Sequence, residues 1–328
     1  MILFDSFWNN VAFGFLAIVV LVLSANYVVD KLIRIAHHFG VSNTFIGLTV
    51  LSIGTSLPEI GSHLVASFGI LAGHMDYRIA SATVVGANIG SDVVQQTLIL
   101  GVAILIIGTV HFPKSFLQTS YSLLIVTTLL VLGLGWDGQI SRIDGAILLG
   151  LFGVYLFYLY ISEPKEEISE EERKVHVIKE ILLTCAGLLV LLFSSIITLD
   201  VTEYVVLKTG VGGSLIGVLT LGVASALPEL FTAIISARKK ATGLAVGTLI
   251  GSNIVNPLFG IGLGGLISSY YVPYPILFWD LPMKAISAVI LLVWILSHQK
   301  KLNRWGAFML ILMYVVYVAV RIAYFPFD

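Results

Sequence analysis

The stretch that decides the fold is VSNTFIGLTVLSIGTSLPE, which runs from Val41 to Glu59. A second version, VGGSLIGVLTLGVASALPE, runs from Val211 to Glu229, and 211 minus 41 gives an offset of 170 residues. A second pair of matching segments is GANIGSDVVQ, residues 86–95, and GTLIGSNIVN, residues 247–256. The chain therefore reads as two related halves, and each copy of the first motif ends in a proline followed by a glutamate.

The composition around these motifs is that of a membrane protein. Of 328 residues, 58% are hydrophobic and 11% are charged, against roughly a quarter charged in an ordinary soluble domain. A net charge of -1 offers no basic stripe for nucleic acid. The first residues, MILFDSFWNN, carry no basic region before the apolar stretch, so we expect a permanent helix and not a removable signal peptide.

A helix needs about 20 apolar residues to cross a bilayer. On that rule the sequence predicts ten spans, near 9–29, 42–72, 80–108, 117–135, 143–161, 178–199, 212–237, 244–268, 277–297 and 305–322. The predicted fold class is an all-α polytopic membrane protein.

Five spans in each half is an odd number, so the second copy must enter the membrane from the opposite face. We expect a 5+5 inverted-topology repeat with a shared site near the midplane. The first five-helix repeat is residues 1–162, a charged linker is 163–176, and the second repeat is 177–328.

The basic residues indicate an orientation in the membrane. Thirteen Lys and Arg residues fall in the odd-to-even connections and five on the other side, which are Arg78, Arg142, Lys208, Lys284 and Arg321. Because positive charge accumulates on the cytoplasmic side, we expect both termini outside and the linker in the cytoplasm. The cell membrane is the expected location.

The prolines of the repeated motif predict that helices 2 and 7 are broken. A proline inside a helix lacks an N–H and clashes with the carbonyl four residues back. The breaking prolines and the residues whose carbonyls they free are Gly54, Thr55 and Pro58 in one half, and Ala224, Ser225 and Pro228 in the other. Such carbonyls persist in lipid only beside protein or a wet cavity, and a bound cation would satisfy them.

A glutamate follows each proline, which puts Glu59 and Glu229 beside the freed carbonyls. An acid buried in the membrane is a functional candidate by default. The second matched segments add one helix face with Ser91 and Gln95 and its counterpart with Ser252 and Asn256. Carboxylates, hydroxyls, amides and carbonyls form an all-oxygen set, which suits a hard cation such as Ca2+.

With these motifs, the sequence resembles the cation/Ca2+ exchanger superfamily, whose two repeats carry GTSLPE-type and GNxIGS-type motifs. The resemblance covers essentially the whole chain and implies an antiporter, not an enzyme, with no cofactor. It implies that Ca2+ lies between Glu59 and Glu229 in alternating access, with helices 1 and 6 moving as the gate. The further implied ligands are the carbonyls of Thr55 and Ser225 and the side chains of Ser56, Ser91, Gln95, Ser252 and Asn256.

Departures from the family pattern bear on the counter-ion. The second motif reads ASALPE, so Ala226 lacks the hydroxyl that Ser56 has. Sodium-coupled relatives commonly have Asn and Asp where this chain has Gln95 and Asn256. Two carboxylates can hold one Ca2+ or two protons but are a poor site for several Na+, so we expect Ca2+/H+ exchange, with Na+/Ca2+ exchange as the alternative.

Two further residues could serve protons. His63 lies one helical turn beyond Glu59, and Asp92 is a third intramembrane acid, rotated away from Ser91 and Gln95. Either could be a proton relay, and either could have only a structural role.

Two other classes are remote alternatives. An intramembrane aspartyl hydrolase would need paired aspartates on facing helices, whereas the repeated acids are glutamates. A channel would need weaker binding than a compact two-carboxylate site provides. The sequence leaves the oligomeric state open.

Overall fold

The structure is a computed structural model that describes residues 6–38, 52–112, 114–161, 176–238 and 242–328. Within these ranges it contains nine helices long and apolar enough to cross a membrane, and a shorter apolar helix, Leu57–Leu71. The predicted polytopic helical fold is confirmed. The first part of the second span and nearly all of the charged linker lie outside the described residues.

Ten helices, α1 to α10, are used below. In the first half they are α1 (Phe7–His38), α2 (Ser52–Thr55 and Leu57–Leu71), α3 (Tyr77–Val94, Gln95–Ile99 and Leu100–Ile107), α4 (Lys114–Phe116, Leu117–Tyr121 and Ser122–Leu134) and α5 (Arg142–Ile161). In the second half they are α6 (Val177–Thr209), α7 (Gly213–Ile216, Gly217–Leu221, Gly222–Ser225 and Leu227–Arg238), α8 (Thr242–Val255, Asn256–Ile261 and Gly262–Ser268), α9 (Ile276–Asp280 and Leu281–Ser297) and α10 (Arg304–Tyr324).

Two small strand pairs link the halves at the helix ends. Strand β1 (Thr109–His111), between α3 and α4, pairs antiparallel with β4 (Lys301–Asn303), between α9 and α10. Strand β2 (Gln139–Ile140), between α4 and α5, pairs antiparallel with β3 (Tyr270–Tyr271), between α8 and α9. In a 5+5 repeat β1 corresponds to β3 and β2 to β4, so each pair maps onto the other. This pattern is the one that a two-fold relation between halves would produce, and the repeat itself stays a prediction.

The helices that carry the second motif are central. In α3 and in α8, 78% of the most apolar window is buried inside the protein, against 39% in α1 and 33% in α6. Helices α1 and α6 pack along each other at the periphery. One end of this pair is joined by an ion pair between Lys31 Nζ and Glu180 Oε2 at 3.2 Å.

Glycines bring α3 into backbone contact with α7. A Cβ on Gly86 would lie 2.6 Å from the carbonyl oxygen of Ser214, and one on Gly90 would lie 2.6 Å from the Cα of Val218. Side chains larger than hydrogen would therefore separate the helices. The close approach holds Ser91, one residue beyond Gly90, near the break in α7.

Two basic residues are not where the orientation count placed them. Lys284 lies in α9 and Arg321 in α10, and both side chains are fully buried. Each is paired with an acid from another helix, Lys284 with Asp92 and Arg321 with Asp280. The predicted spans 277–297 and 305–322 already contained these two residues, so counting them as charges on one side of the membrane was wrong. A carboxylate from another helix allows each cation to remain inside the protein. The membrane orientation stays a prediction.

Candidate cation site

The breaks in α2 and α7 occupy equivalent positions. One helical segment ends at Thr55 and the next begins at Leu57, and the same interruption in α7 falls at Ala226. Glu59 and Glu229 then lie in the first turn of the new segments. The unpaired N–H groups and the helix dipole favour a negative charge there. The preceding segments end at the carbonyls that the prolines Pro58 and Pro228 were predicted to free.

The structure brings the two predicted acids together in the interior. The exposed fraction is 3% for Glu59 and 0% for Glu229, and the two carboxylates interact electrostatically. Ser91 Oγ donates to Glu59 Oε1 at 2.7 Å. Among the residues that the structure describes, none forms a hydrogen bond with the other oxygen of Glu59 or with either oxygen of Glu229, and all three oxygens are buried. Buried carboxylates cannot stay in this condition without a cation or a proton, because desolvation costs several kcal/mol per ion.

Hydroxyl groups from both halves surround the acids. Ser225 lies beside Glu59, whereas Thr55 and Ser252 lie beside Glu229. Thr55 Oγ1 and Ser252 Oγ are 3.2 Å apart. Each acid therefore lies beside a hydroxyl from the first motif of the other half, Glu59 beside Ser225 and Glu229 beside Thr55.

The hydroxyl of Ser56, a predicted ligand, and the hydroxyl of Ser225, whose carbonyl was the predicted ligand, are also bonded within their own helices. Ser56 Oγ donates to the carbonyl of Ser52 at 3.0 Å, and Ser225 Oγ donates to that of Gly222 at 3.2 Å. A hydroxyl that donates its proton keeps its lone pairs for a cation. The carbonyls of Gly54 and Ala224 belong to the same pre-break segments.

The predicted amides are both buried, but their contacts differ. Gln95 Nε2 donates to Ser91 Oγ at 3.0 Å, and its Oε1 accepts from Asn253 Nδ2 at 3.1 Å. Asn256 Nδ2 donates to Asp92 Oδ1 at 2.8 Å, while Asn256 Oδ1 is buried without a partner. The free amide oxygen of Asn256 adds one more acceptor to those of the two glutamates.

Both amides begin a π-helical segment, which sequence reasoning missed. Gln95 opens Gln95–Ile99 in α3, and Asn256 opens Asn256–Ile261 in α8. Such widened turns occur often at functional sites. Pro257 was the available signal in α8, since it lacks an N–H and disturbs the helical ladder, but α3 has no proline here.

His63 lies in a buried cluster that shares Asn88 with Asn256, since Asn88 Nδ2 also donates to the carbonyl of Asn256. His63 Nδ1 is 3.1 Å from Tyr270 Oη, and its Nε2 is 3.1 Å from Asn88 Nδ2. The amide nitrogen of Asn88 can only donate, so Nε2 accepts and Nδ1 carries the proton. A neutral imidazole with both nitrogens bonded holds α2, α3 and the segment after α8 together. A relay role for His63 stays a prediction.

Asp92, whose charge also acts on Glu59, is held in an ion pair. Its Oδ2 lies 2.5 Å from Lys284 Nζ, and both side chains have 0% exposure. Neither Lys284 nor Asn253 was among the predicted site residues. Lys284 lies 192 residues from Asp92 in the chain, and no motif marks it.

The donors present suit a hard cation. Among the residues that the structure describes, no cluster of three His, Cys, Asp or Glu side chains is present. The grouped donors are carboxylate, hydroxyl and amide oxygens, which Ca2+ prefers to sulfur and imidazole. Broken helices whose ends meet buried acids in a helical membrane protein define the class of secondary cation transporters.

The chain belongs to the sodium/calcium exchanger protein family, which it matches over residues 10–161 and 179–323. It is 25% identical to the sodium/calcium exchanger MaX1 of Methanosarcina acetivorans, over 93% of this chain and 96% of that protein. It is 27% identical to the putative antiporter CaxA of Alkalimonas amylolytica, again over 93% and 96%.

The fold is also similar to a solved structure. A structure of the sodium-calcium exchanger NCX_Mj, soaked with Na+ and Sr2+, aligns with a TM-score of 0.63 and 27% identity, over 94% of this chain and 97% of that one. The predicted superfamily is confirmed. The protein is an integral membrane exchanger of the cation/Ca2+ type and not an enzyme.

Proposed function

We propose that the protein is an antiporter that exports Ca2+ from the cytoplasm in exchange for protons by alternating access. The observation that carries this proposal is the pair of buried carboxylates, Glu59 and Glu229, three of whose oxygens have no hydrogen-bond partner within the described part of the chain. One Ca2+ would compensate both charges and coordinate those oxygens, and two protons would neutralise the same acids on the return step.

The remaining oxygen ligands come from both halves. Asn256 Oδ1 supports its own assignment, because it is a buried acceptor without a partner. The other proposed ligands are the carbonyls of Thr55 and Ser225 and the side chains of Ser56, Ser91, Gln95 and Ser252. Together with the acids they make nine candidate residues, so the proposed set includes enough oxygens for the six to eight that Ca2+ takes and not every candidate need bind at once.

The counter-ion is argued from charge. The third acid of this region, Asp92, has an internal partner in Lys284, which leaves Glu59 and Glu229 to be compensated by transported ions. Two protons match this charge and need no coordination shell, whereas two Na+ would each need several oxygens. The alternative is Na+/Ca2+ exchange on the same scaffold, which the names of MaX1 and NCX_Mj favour.

The architecture is proposed to serve this cycle. Residues 1–162 and 177–328 form the two inverted repeats, and 163–176 is a cytoplasmic linker. We place the protein in the cell membrane with both termini outside. Helices α1 and α6 are the proposed gate, since they are less buried than α3 and α8 and pack along each other.

The test is Ca2+ flux in proteoliposomes under separately imposed gradients. We expect a proton gradient to drive Ca2+ movement without Na+, and Glu59→Gln or Glu229→Gln to abolish it. Glu203→Gln is the matched control, because this acid lies on α6 and is not grouped with the site residues. Ca2+ uptake driven by an outward Na+ gradient with the pH clamped would overturn proton coupling and establish the alternative.

A further inference from the structure

We propose that Asp92 and Lys284 form a fixed charge pair that orients Asn256 toward the transported cation and keeps the third acid out of the exchange. This inference rests on the proposed function of the same site. It makes Asp92 and Lys284 positioning residues that determine how much positive charge the site must bind.

The contacts form a chain from α9 to the site. Lys284 Nζ contacts Asp92 Oδ2 at 2.5 Å, and Asp92 Oδ1 accepts from Asn256 Nδ2 at 2.8 Å. All three side chains are fully buried. Asp92 also directly follows Ser91, the hydroxyl that donates to Glu59. The ion pair therefore adjoins Ser91, a proposed ligand from the first half, and lies one hydrogen bond from Asn256, a proposed ligand from the second half.

The pair dictates which way the Asn256 amide faces. A carboxylate paired with an ammonium group accepts hydrogen bonds and cannot donate one, so Asp92 selects the Nδ2 side of the amide. Asn256 Oδ1 must then face away from Asp92, and it is the oxygen without a partner. The main chain is fixed as well, because Asn88 Nδ2 donates to the carbonyl of Asn256 at 2.9 Å.

Lys284 is held where it is. Gln96 Nε2 donates to the carbonyl of Lys284 at 3.0 Å and lies 2.5 Å from Ser287 Oγ, which itself donates to that carbonyl at 3.0 Å. These bonds join α9 to the π-helical segment of α3. The ammonium is thus a built-in cation for Asp92, and the charge left for transported ions is that of Glu59 and Glu229.

The first experiment removes both charges. Asp92→Asn with Lys284→Met leaves no unpaired ion, and such replacements of buried pairs often leave stability unchanged or higher. The new amide can present either face to Asn256, so the orientation of Oδ1 is no longer fixed. We expect the half-saturating Ca2+ concentration for transport to rise about 10- to 100-fold, the usual cost of losing a group that orients a metal ligand. An unchanged value would contradict the proposal.

The second experiment moves the acid into the site. Asn256→Asp alone puts two acceptors face to face and should abolish Ca2+ transport. Adding both Asp92→Asn and Lys284→Met supplies a donor to the new carboxylate and leaves no unpaired ammonium, so we expect at least a tenfold recovery over the single variant. The site then has three acids, and Ca2+ flux should acquire a dependence on a valinomycin-set membrane potential. A pair that served only stability would produce neither the recovery nor the potential dependence.

The outcomes separate the two proposals. If the wild-type protein moves no Ca2+ under any gradient, the proposed function is wrong and this inference falls with it. If the wild-type protein moves Ca2+ but the compensated Asn256→Asp variant transports no more Ca2+ than Asn256→Asp alone, for whatever reason, only the role of Asp92 and Lys284 is overturned. If the Asp92→Asn, Lys284→Met variant of the first experiment does not fold, the second experiment decides the proposal alone.

Discussion

Replacing Glu229 by glutamine should affect stability in opposite ways with and without Ca2+. Without Ca2+, wild-type Glu229 is a fully buried acid with two unpartnered oxygens and the carboxylate of Glu59 nearby. An amide removes that charge, and its N–H groups can donate to the hydroxyls of Thr55 and Ser252, which lie beside it. We therefore expect Glu229→Gln to unfold at the wild-type temperature or above it when Ca2+ is absent.

With Ca2+ the order should reverse. A ligand at 100 times its dissociation constant stabilises the folded state by about 2.7 kcal/mol. At roughly 2 °C per kcal/mol for a chain of this size, the wild-type melting temperature should rise by about 5 °C. Glu229→Gln lacks one of the two charges proposed to bind Ca2+ and should show a shift below about 1 °C, on the same relation.

The assay is thermal unfolding in detergent, followed by the fluorescence of the five tryptophans, with Ca2+ titrated against Mg2+. Glu203→Gln on α6 is the matched control and should keep the full Ca2+ shift. The reasoning is refuted if Glu229→Gln keeps the shift, or if it melts several degrees lower without Ca2+. Either result would make Glu229 a structural acid bonded to its neighbours.

Two further predictions concern buried polar clusters. Arg321→Met should destabilise the protein by about 3–5 kcal/mol, because it leaves Asp280 as a buried uncompensated charge. Adding Asp280→Asn should restore most of the melting temperature, and equal melting temperatures of the single and double variants would contradict the ion pair. His63→Phe should lower the free energy of unfolding by about 1–3 kcal/mol, because the hydrogen bonds to Tyr270 and Asn88 are lost. The pH dependence of Ca2+ flux should stay unchanged, and a shifted pH profile would establish His63 as a proton relay.

The sequence predicted those features of the site that occur in both copies of the repeated motif. Glu59 and Glu229 follow prolines in both halves, and the structure breaks both helices at equivalent positions, before the acids. Ser91 and Ser252 were predicted at corresponding positions of spans 3 and 8, and each lies beside a glutamate. These predictions depend on local chemistry, namely the missing N–H of proline and the cost of a buried acid, which one segment of sequence is sufficient to reveal.

Features that depend on a distant partner could not be predicted in this way. Lys284 was counted with the charges of one membrane face although it lies in the predicted span 277–297, because nothing near it in the chain shows that Asp92, on α3, would pair with it. The widened turn at Gln95 has no local signal either, since it comes from how α3 packs in the interior. The structure also gave His63 two bonded partners, Tyr270 and Asn88, that lie far from it in the sequence.

The equivalent positions of the two halves have unequal contacts, and this inequality has a chemical consequence. Asp92 corresponds to Asn253 in the matched segments, so only one half has an acid there. The same half has Gln95, whose oxygen accepts from Asn253, whereas the oxygen of Asn256 is free because Asp92 holds its nitrogen. One acid at position 92, paired with Lys284, therefore differentiates two amides that the repeat would otherwise make alike. On the proposed function, the charge balance of the site follows from this pairing, because each acid without an internal partner would be compensated by a transported ion.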